Sequence, residues 1–398
     1  MKKWDIKKLG EVCDFFNGQA HEKCIDENGK YKLINSKFVS SEGDNFKRTN
    51  NALSPLFVND IVMVMSDVPN GKTLAKCFVV DEDDTYTLNQ RICVIRSKCF
   101  DTRFLYYQLN RNKYLLSFNN GENQSNLRKD DILNCELLVP PFPEQQNIVS
   151  ILDEAFIAID KAKANAEQNL KNAKELFESY LQNLFLNPKE NWQIKKWGDL
   201  CHFVRGPFGG SLKKSIFKES GYVVYEQKHA IHDHFNQLRY FIDEEKFNEM
   251  ARFEVKAGDI IMSCSGVTLG RVAIVPDGIP RGIINQALLK LTPNKDVSAH
   301  FLKHWLRSKI FQDIIFKYSG GAAIPNVPSA KILKDIKIPF PELEEQNKIV
   351  NEIETVLIET KKLESIYQQK INDLEELKKS ILQKAFAGEL KTNEAIKV

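Results

Sequence analysis

Pro141-Phe142-Pro143-Glu144-Gln145-Gln146 opens a run free of glycine and proline that lasts to Asn187, and Pro339-Phe340-Pro341-Glu342-Leu343-Glu344-Glu345-Gln346 opens a second such run about two hundred residues later. Proline presets φ for a first helical turn, and carboxylates just behind it meet the positive end of the helix dipole. Both stretches therefore predict the start of a long helix. In the first run Ile148, Leu152, Ala155, Ile159, Ala162, Ala166, Asn169, Ala173, Leu176 and Tyr180 step by four and three. In the second, Ile349, Ile353, Val356, Thr360, Leu363, Tyr367, Lys370, Leu374, Leu377 and Ile381 do the same. A narrow stripe with a period near 3.5 residues is a coiled-coil seam. The first stripe is alanine-rich and the second mostly bulky, so the two are complementary in volume. Each run would span about 60 Å at about 1.5 Å per residue, more than a small domain can cover. An antiparallel coiled coil is the expected arrangement, with two separate helices, each lying on its own domain, as the alternative.

The repeat reaches beyond the helices. Trp4-Asp5-Ile6-Lys7-Lys8-Leu9-Gly10-Glu11-Val12-Cys13 recurs as Trp192-Gln193-Ile194-Lys195-Lys196-Trp197-Gly198-Asp199-Leu200-Cys201, with Phe15 and Gly18 answering Phe203 and Gly206. Asp60 to Ser66 matches Asp259 to Ser265, each a short apolar strand behind a turn. Leu88-Asn89-Gln90 matches Ile284-Asn285-Gln286, followed in both copies by an apolar strand (92–95, 287–291) and a helix (104–109, 301–306). Each copy then has a glycine-containing loop, 121–126 and 320–326, before its last strand. The chain reads as an α+β protein: two pseudo-symmetric mixed α/β domains, 1–142 and 188–341, joined by helices 143–187 and 342–391, with a tail at 392–398. Between the landmarks the copies differ freely. Asp67-Val68-Pro69-Asn70-Gly71-Lys72 stands where the other has Gly266-Val267-Thr268-Leu269-Gly270-Arg271. Unlike loops on one scaffold point to two related tasks on two different targets.

Composition narrows the chemistry. No apolar run approaches the roughly 18 residues of a membrane span and the start lacks a signal-peptide core, so a cytoplasmic protein without membrane contact is expected. The eight cysteines include no Cys-x-x-Cys, which argues against a zinc site or a disulfide framework. Net charge divides unevenly: +1 over 1–142, −3 over 143–187, +8 over 188–341 and −3 over 342–391. Basic domains on acidic helices suit domains that face a polyanion. There is no phosphate-binding Gly-x-x-x-x-Gly-Lys-Ser/Thr and no Gly-x-Gly-x-x-Gly behind a strand. Val139-Pro140-Pro141-Phe142 resembles the Asp/Asn-Pro-Pro-Tyr/Phe motif of amino-methyltransferases, but valine replaces the residue that would hold the target amine, so it is read as the approach to the helix. His229, His232 and His234 lack partners at a ligand spacing and are read as surface or DNA-facing side chains. No catalytic and no metal-binding residue is assigned.

For DNA contact the residues to weigh are long donors on glycine-flanked loops, since Arg and Lys reach guanine edges, Asn and Gln reach adenine edges, and Lys and Ser reach phosphate. In the first copy these are Asn70, Lys72, Arg91, Gln124, Asn126, Arg128 and Lys129; in the second they are Arg205, Ser211, Lys213, Lys214, Gln227, Lys228 and Arg271. A solvated surface charge is the competing reading for each of them.

Taken together, the repeated Trp-x-Ile-Lys-Lys-x-Gly starts, Asn89-Gln90 and Asn285-Gln286, the Gly320–Asn326 loop, the ending Ala385-Phe386-Ala387-Gly388-Glu389-Leu390 and the two Pro-Phe-Pro-Glu helix starts resemble the specificity subunits of type I restriction-modification systems. The resemblance covers essentially the whole chain. It departs at Asn123-Gln124-Ser125-Asn126-Leu127, where the second copy has the more usual Ile324-Pro325-Asn326. The resemblance implies two target-recognition domains that read a bipartite, asymmetric site on double-stranded DNA, and helices that space the half-sites and dock two methyltransferase subunits. Restriction subunits would join through these. It also implies that S-adenosylmethionine, ATP and Mg belong to those partners, with no cofactor in this chain. Two rivals of other classes are a coiled-coil scaffold whose basic domains bind acidic proteins and a DNA-modifying enzyme with an unrecognised site.

Overall fold

The computed structural model describes residues 4–68, 71–119, 124–318 and 325–390. Candidate Asn70, parts of both glycine loops (120–123 and 319–324) and the tail 392–398 lie outside the described residues. The chain divides into two compact units, Met1–Asn165 with Lys370–Val398, and Ala166–Gln369. The long helices, Phe142–Leu186 and Leu343–Phe386, each give one stretch to each unit.

In the first unit the central sheet has four strands in the order Cys13–Asn17, Ile92–Ser97, Ile61–Val64, Cys77–Val79, all antiparallel. Alternation explains why its two middle strands read as unbroken apolar runs. Ile61, Met63, Cys93 and Ile95 pack with Phe104 and Leu105 of the helix Thr102–Leu109. Val62, Val64, Ile92 and Val94 point the other way, into a cluster with Ile34, Phe38 and Leu88. Side chains on opposite faces of a strand are both covered here, so no polar face survives in the sequence. That second cluster rests on a three-stranded sheet, Lys47–Thr49, Tyr31–Ile34, Tyr86–Leu88, whose last two strands run parallel. Asp5–Lys8 pairs with Glu136–Val139 beside the helix start.

The second unit repeats this order strand for strand: Cys201–Arg205, Leu288–Pro293, Ile260–Ser263, Val272–Ile274 in the larger sheet, Phe241–Ile242, Tyr222–Tyr225, Gly282–Ile284 in the smaller, and Gln193–Lys196 with Lys337–Phe340. The recurring landmarks turn out to be structural. Asn89 and Asn285 link the two sheets, their backbone amides donating to the carbonyls of Ile34 and Tyr225 in the smaller and their carbonyls accepting from the amides of Ile92 and Leu288 in the larger. A Cβ on Gly18 or Gly206 would lie 2.1 or 1.9 Å from the Asn89 or Asn285 carbonyl oxygen, so only glycine fits either position. Asp60 closes its turn by accepting from the Phe57 amide and is gripped by Arg96 through Nε and Nη2 at 2.7 and 2.8 Å. Asp259 accepts likewise from the Lys256 amide at 2.8 Å.

The duplicated glutamines explain why the helix-start motif is followed by Gln. The Gln145 Oε1 accepts from the Asp101 amide at 2.8 Å while its Nε2 donates to the Pro140 carbonyl at 2.9 Å. Gln346 does the same with the Ser298 amide at 2.8 Å and the Pro341 carbonyl at 2.9 Å, and adds the Asp296 carbonyl at 3.1 Å. Asp101 and Ser298 are the N-caps of the helices Thr102–Leu109 and Ala299–Arg307. Each glutamine thus ties a long helix to the domain beside it with buried amide bonds. Gln346→Ala strands a buried amide and two carbonyls, for which the expected loss is about 1–3 kcal/mol in chemical denaturation of the second unit; an unchanged midpoint would mean that the clamp carries no stability.

Within each unit the two helix stretches touch and run antiparallel. In the first, Lys163 pairs with Glu375 at 2.6 Å and Lys378 with Asp160 at 2.8 Å. In the second, Leu181 and Phe185 share a core cluster with Ile349, Val350 and Ile353, and Lys189, just past the end of the first helix, pairs with Glu345 at 3.0 Å. The covered positions keep the expected 3.5-residue period but not every residue of the expected stripe. In the first helix Leu170 and Phe177 are partly covered whereas Asn169 and Leu176 are exposed; in the second Ile371 is buried whereas Lys370 and Leu377 are exposed. The seven-residue repeat itself is kept, with Leu152, Ile159, Ala166, Ala173 and Tyr180 covered on the first helix and Ile353, Thr360, Tyr367, Leu374 and Ile381 on the second, so only the position between successive repeats moves, by one residue. Among the described residues no helix is long and apolar enough to cross a membrane.

His304, on the helix Ala299–Arg307, is 8% exposed, and burial first, then Lys303, His300 and Arg307, push its pKa down to about 4 against the opposing Asp233. The unfolded chain therefore takes up this proton near pH 6.5 while the folded unit resists it, so stability is lost as pH falls from about 6.5 towards 4. The expected loss over that window is about 3 kcal/mol. His304→Gln should flatten this part of the unfolding-versus-pH curve; the same slope in the variant would assign it to other groups.

Candidate nucleic-acid interface

In the first unit the candidate donors gather on one short ladder. Ser66–Asp67 pairs antiparallel with Ser125–Asn126, Ser66 facing Asn126. Gln124 Nε2 donates to Ser66 Oγ at 2.7 Å. The Arg91 carbonyl accepts from the Met65 amide, and the Leu127 amide donates to the Met65 carbonyl. Arg91, Gln124 and Asn126 are thereby held next to one another, each exposed. Asp67 holds the loop behind them: its carboxylate accepts from the amides of Val68, Thr73 and Leu74 at 2.8, 2.6 and 3.1 Å. Burial alone would raise the Asp67 pKa, but these amides, Thr73 foremost, bring it below the usual carboxylate range. Arg111, which the sequence pattern does not single out, pins the same loop from the far side by donating to the Lys72 and Leu74 carbonyls at 2.9 and 3.1 Å. Exposed Lys72 sits on that fixed loop. Arg128 caps the short helix Lys129–Leu133, and the Lys129 ammonium lies 5.7 Å from the Phe15 ring, so these two flank the ladder.

The second unit builds the same ladder with other side chains. Ser265 bridges Asn326 as Ser66 bridges Asn126, which makes Asn126 the counterpart of Asn326 despite the unlike sequences around them. Arg205, at the end of its strand, donates through Nη2 to Asn326 Oδ1 at 3.1 Å. Gln227 Nε2 reaches Ser263 Oγ at 2.9 Å and the Ser265 carbonyl and Oγ at 3.0 and 3.1 Å. Arg271 closes the loop through its carbonyl, which accepts from the Ser263 amide at 2.8 Å. Next to Gln227, the nearly buried Glu226 takes two bonds from Arg239 Nε, at 3.1 and 3.0 Å, and one from Nη2 at 2.7 Å, with Lys228 Nζ at 3.6 Å. The hydrogen bonds that Arg239 donates to Glu226 raise its pKa, and the sequence pattern misses this cation because its partner lies thirteen residues away. Arg239 and Lys214 line one recess with Phe217, Lys218, Glu219 and Tyr240. Lys213 and Lys214 are exposed on tandem single-turn helices. Ser211 is half-exposed, its hydroxyl donating to the Phe208 carbonyl at 3.0 Å.

The arrangement offers donors on hydrogen-bonded loops, with the side-chain heads of Gln124, Arg205, Gln227 and Asn326 held by neighbours and cations around them. Among the described residues no three His, Cys, Asp or Glu side chains gather as metal ligands. His229 is a correction to the expected surface histidine: it is fully buried, its Nδ1 accepting from the Glu226 amide at 2.9 Å, and burial lowers its pKa.

The family model for the type I restriction modification DNA specificity domain matches twice, over residues 1–171 and 189–376. The chain is 22% identical to the type I restriction enzyme MjaVIII specificity subunit of Methanocaldococcus jannaschii, over 98% of this chain and 93% of that protein. It is 27% identical to the EcoBI specificity subunit of Escherichia coli, over 76% and 69%. In fold it is similar to the HsdS subunit from Thermoanaerobacter tengcongensis, with a TM-score of 0.64, 18% identity and 97% of each chain covered. A chain from a structure concerned with complex assembly and conformational transition of the type I restriction-modification system matches with a TM-score of 0.75 at 18% identity, covering 97% of this chain and 98% of that one. A duplicated scaffold carrying donors on unlike loops, matched in both copies by one family, is explained by one assignment: the chain belongs to the type I restriction-modification specificity family and is the DNA specificity subunit, a non-catalytic component, of such an enzyme.

Proposed function

We propose that each globular domain reads one half of a bipartite, asymmetric site on double-stranded DNA, that the long helices set the gap between the halves, and that they dock two adenine methyltransferase subunits to which restriction subunits attach. S-adenosylmethionine, ATP and Mg would then be held by those partners, and the complex would work in the cytoplasm. The observation that carries this reading is the pair of equivalent ladders, Ser66 with Asn126 and Ser265 with Asn326, dressed with different donors: Arg91 and Gln124 in one, Arg205 and Gln227 in the other. One scaffold with two sets of reading groups suits an address made of two unlike parts. Lys72, Arg128, Lys129, Lys213, Lys214, Lys228 and Arg271 would serve phosphates around them, with Ser211 and Asn70 completing the set.

Base readers and phosphate-binding cations separate in a binding assay on the assembled methyltransferase. Arg205→Ala should relax the base preference at a single position of one half-site, by about 1–3 kcal/mol of discrimination. Lys213→Ala and Lys214→Ala should weaken binding to all sequences alike and lower the slope of log affinity against log salt by about 0.9 for each phosphate left unneutralised. Unchanged binding by all three variants across the salt series would remove this face of the second domain from the interface.

A further inference from the structure

Val68 and Val267 are 64% and 90% exposed. They are also the same residue of the duplicated scaffold, two places beyond Ser66 and Ser265, in loops that otherwise share only Gly71 with Gly270 and a basic residue at Lys72 and Arg271. Neither is loose. The Val68 amide donates to Asp67 Oδ1 at 2.8 Å and its carbonyl accepts from the Gly71 amide at 2.9 Å. Around Val267 the Gly266 amide donates to the Pro325 carbonyl, the Leu269 amide to the Gly266 carbonyl and the Gly270 amide to the Ser263 carbonyl, each at about 3 Å. Gln312 Nε2 holds the Gly270 carbonyl at 3.2 Å. On such a fixed backbone a valine, stiff at χ1, presents its two methyl groups in one direction.

The neighbours say what could cover it. In the chain Val267 falls two residues after Ser265, which bridges Asn326 and accepts from Gln227, and four before Arg271; Val68 falls two residues after Ser66, which pairs with Asn126 and accepts from Gln124, and four before Lys72. A protein partner would need a wider apolar patch than one valine. A single methyl-bearing side chain on the loop that follows a ladder of hydrogen-bond donors suits the major-groove edge, where the thymine 5-methyl group stands among the acceptor atoms N7, O6 and O4.

We propose that Val68 and Val267 each pack against the 5-methyl group of a thymine, one in each half-site, and so select thymine over cytosine at those positions. This deepens the reading of the chain as a two-domain DNA reader and rests on it. A half-site containing a target adenine also contains that adenine's thymine partner, so the ligand is available in both halves.

The test uses the assembled methyltransferase and a duplex bearing its own site, with each thymine replaced singly by deoxyuridine, which lacks only the methyl group. In each half-site one replacement should weaken binding by wild-type complex about fourfold, the worth of one buried methyl. Val267→Ala should abolish that sensitivity in one half and Val68→Ala in the other, each leaving the remaining half as in wild type. Both side chains are exposed, so neither substitution threatens the fold. If the complex binds and methylates its site but no deoxyuridine position distinguishes wild type from the valine variants, the inference is overturned and the two-domain reading stands. If the complex shows no preference for any sequence, both fall.

Discussion

Removal of residues 370–398 is expected to unfold the first globular domain, although none of those residues belongs to it in sequence. The last stretch of the second long helix supplies Leu374, Ile381, Leu382, Ala385 and Phe386 to the core around Leu9, Phe104 and Leu152, and Leu390 follows them. The Phe386 and Phe104 rings meet edge to face at 5.5 Å, as Phe185 and Phe301 do at 5.7 Å in the second unit. The end of the chain therefore does for the first domain what the end of the first long helix does for the second. Losing six apolar side chains at about 1–2 kcal/mol each, with Glu375 and Lys378 gone as partners of Lys163 and Asp160, would exhaust most of the roughly 5–15 kcal/mol that holds a domain folded. Limited proteolysis of a chain ending at 369 should cut within residues 1–142 while the second domain stays intact. Equal resistance of both domains would contradict the shared core.

The second large effect concerns spacing. Removing seven residues from each long helix, at matched levels, shortens the pair by about 10 Å. If helix length sets the gap between half-sites, that gap should contract by about three base pairs at the roughly 3.4 Å rise of B-form DNA, with both half-site sequences unchanged. Methylation mapped on DNA treated with the altered complex reads both quantities at once. Changed half-sites with an unaltered gap would remove the helices from the measuring role.

Much of this architecture is legible in the sequence because duplication prints it twice. The starts at Trp4 and Trp192, the strands behind Asp60 and Asp259 and the helices behind Pro-Phe-Pro-Glu all emerge from comparison of one half with the other. What escapes has physical reasons. The smaller sheets join segments as distant as Tyr31–Ile34 and Tyr86–Leu88, a pairing no local pattern encodes. The expected stripe has the period of the covered face but takes Leu176 and Lys370 for intermediate positions where the structure covers Phe177 and Ile371, a one-residue choice that the period leaves open. The glutamine behind each helix start looks like ordinary helix composition until its carbonyl and amide partners are known.

The candidate interface is less legible for a related reason. Choosing exposed long donors on glycine-flanked loops finds Arg205 and Gln227, yet what fixes their heads is Asn326 and the serine pair, which come from remote segments. The same filter passes Ser211, whose hydroxyl is engaged with Phe208, and omits Arg239, whose grip on Glu226 shapes the loop beside Gln227. Apolar Val68 and Val267 are invisible to a search for polar readers, and only their shared exposure draws notice.

The most direct test is to sequence the modified adenines in DNA exposed to a methyltransferase assembled with this chain. The account predicts one asymmetric motif made of two short half-sites at a fixed gap, and a hybrid motif, with one half exchanged, when residues 188–341 are replaced by those of a relative. A single continuous motif, or an exchange that altered both halves together, would contradict it.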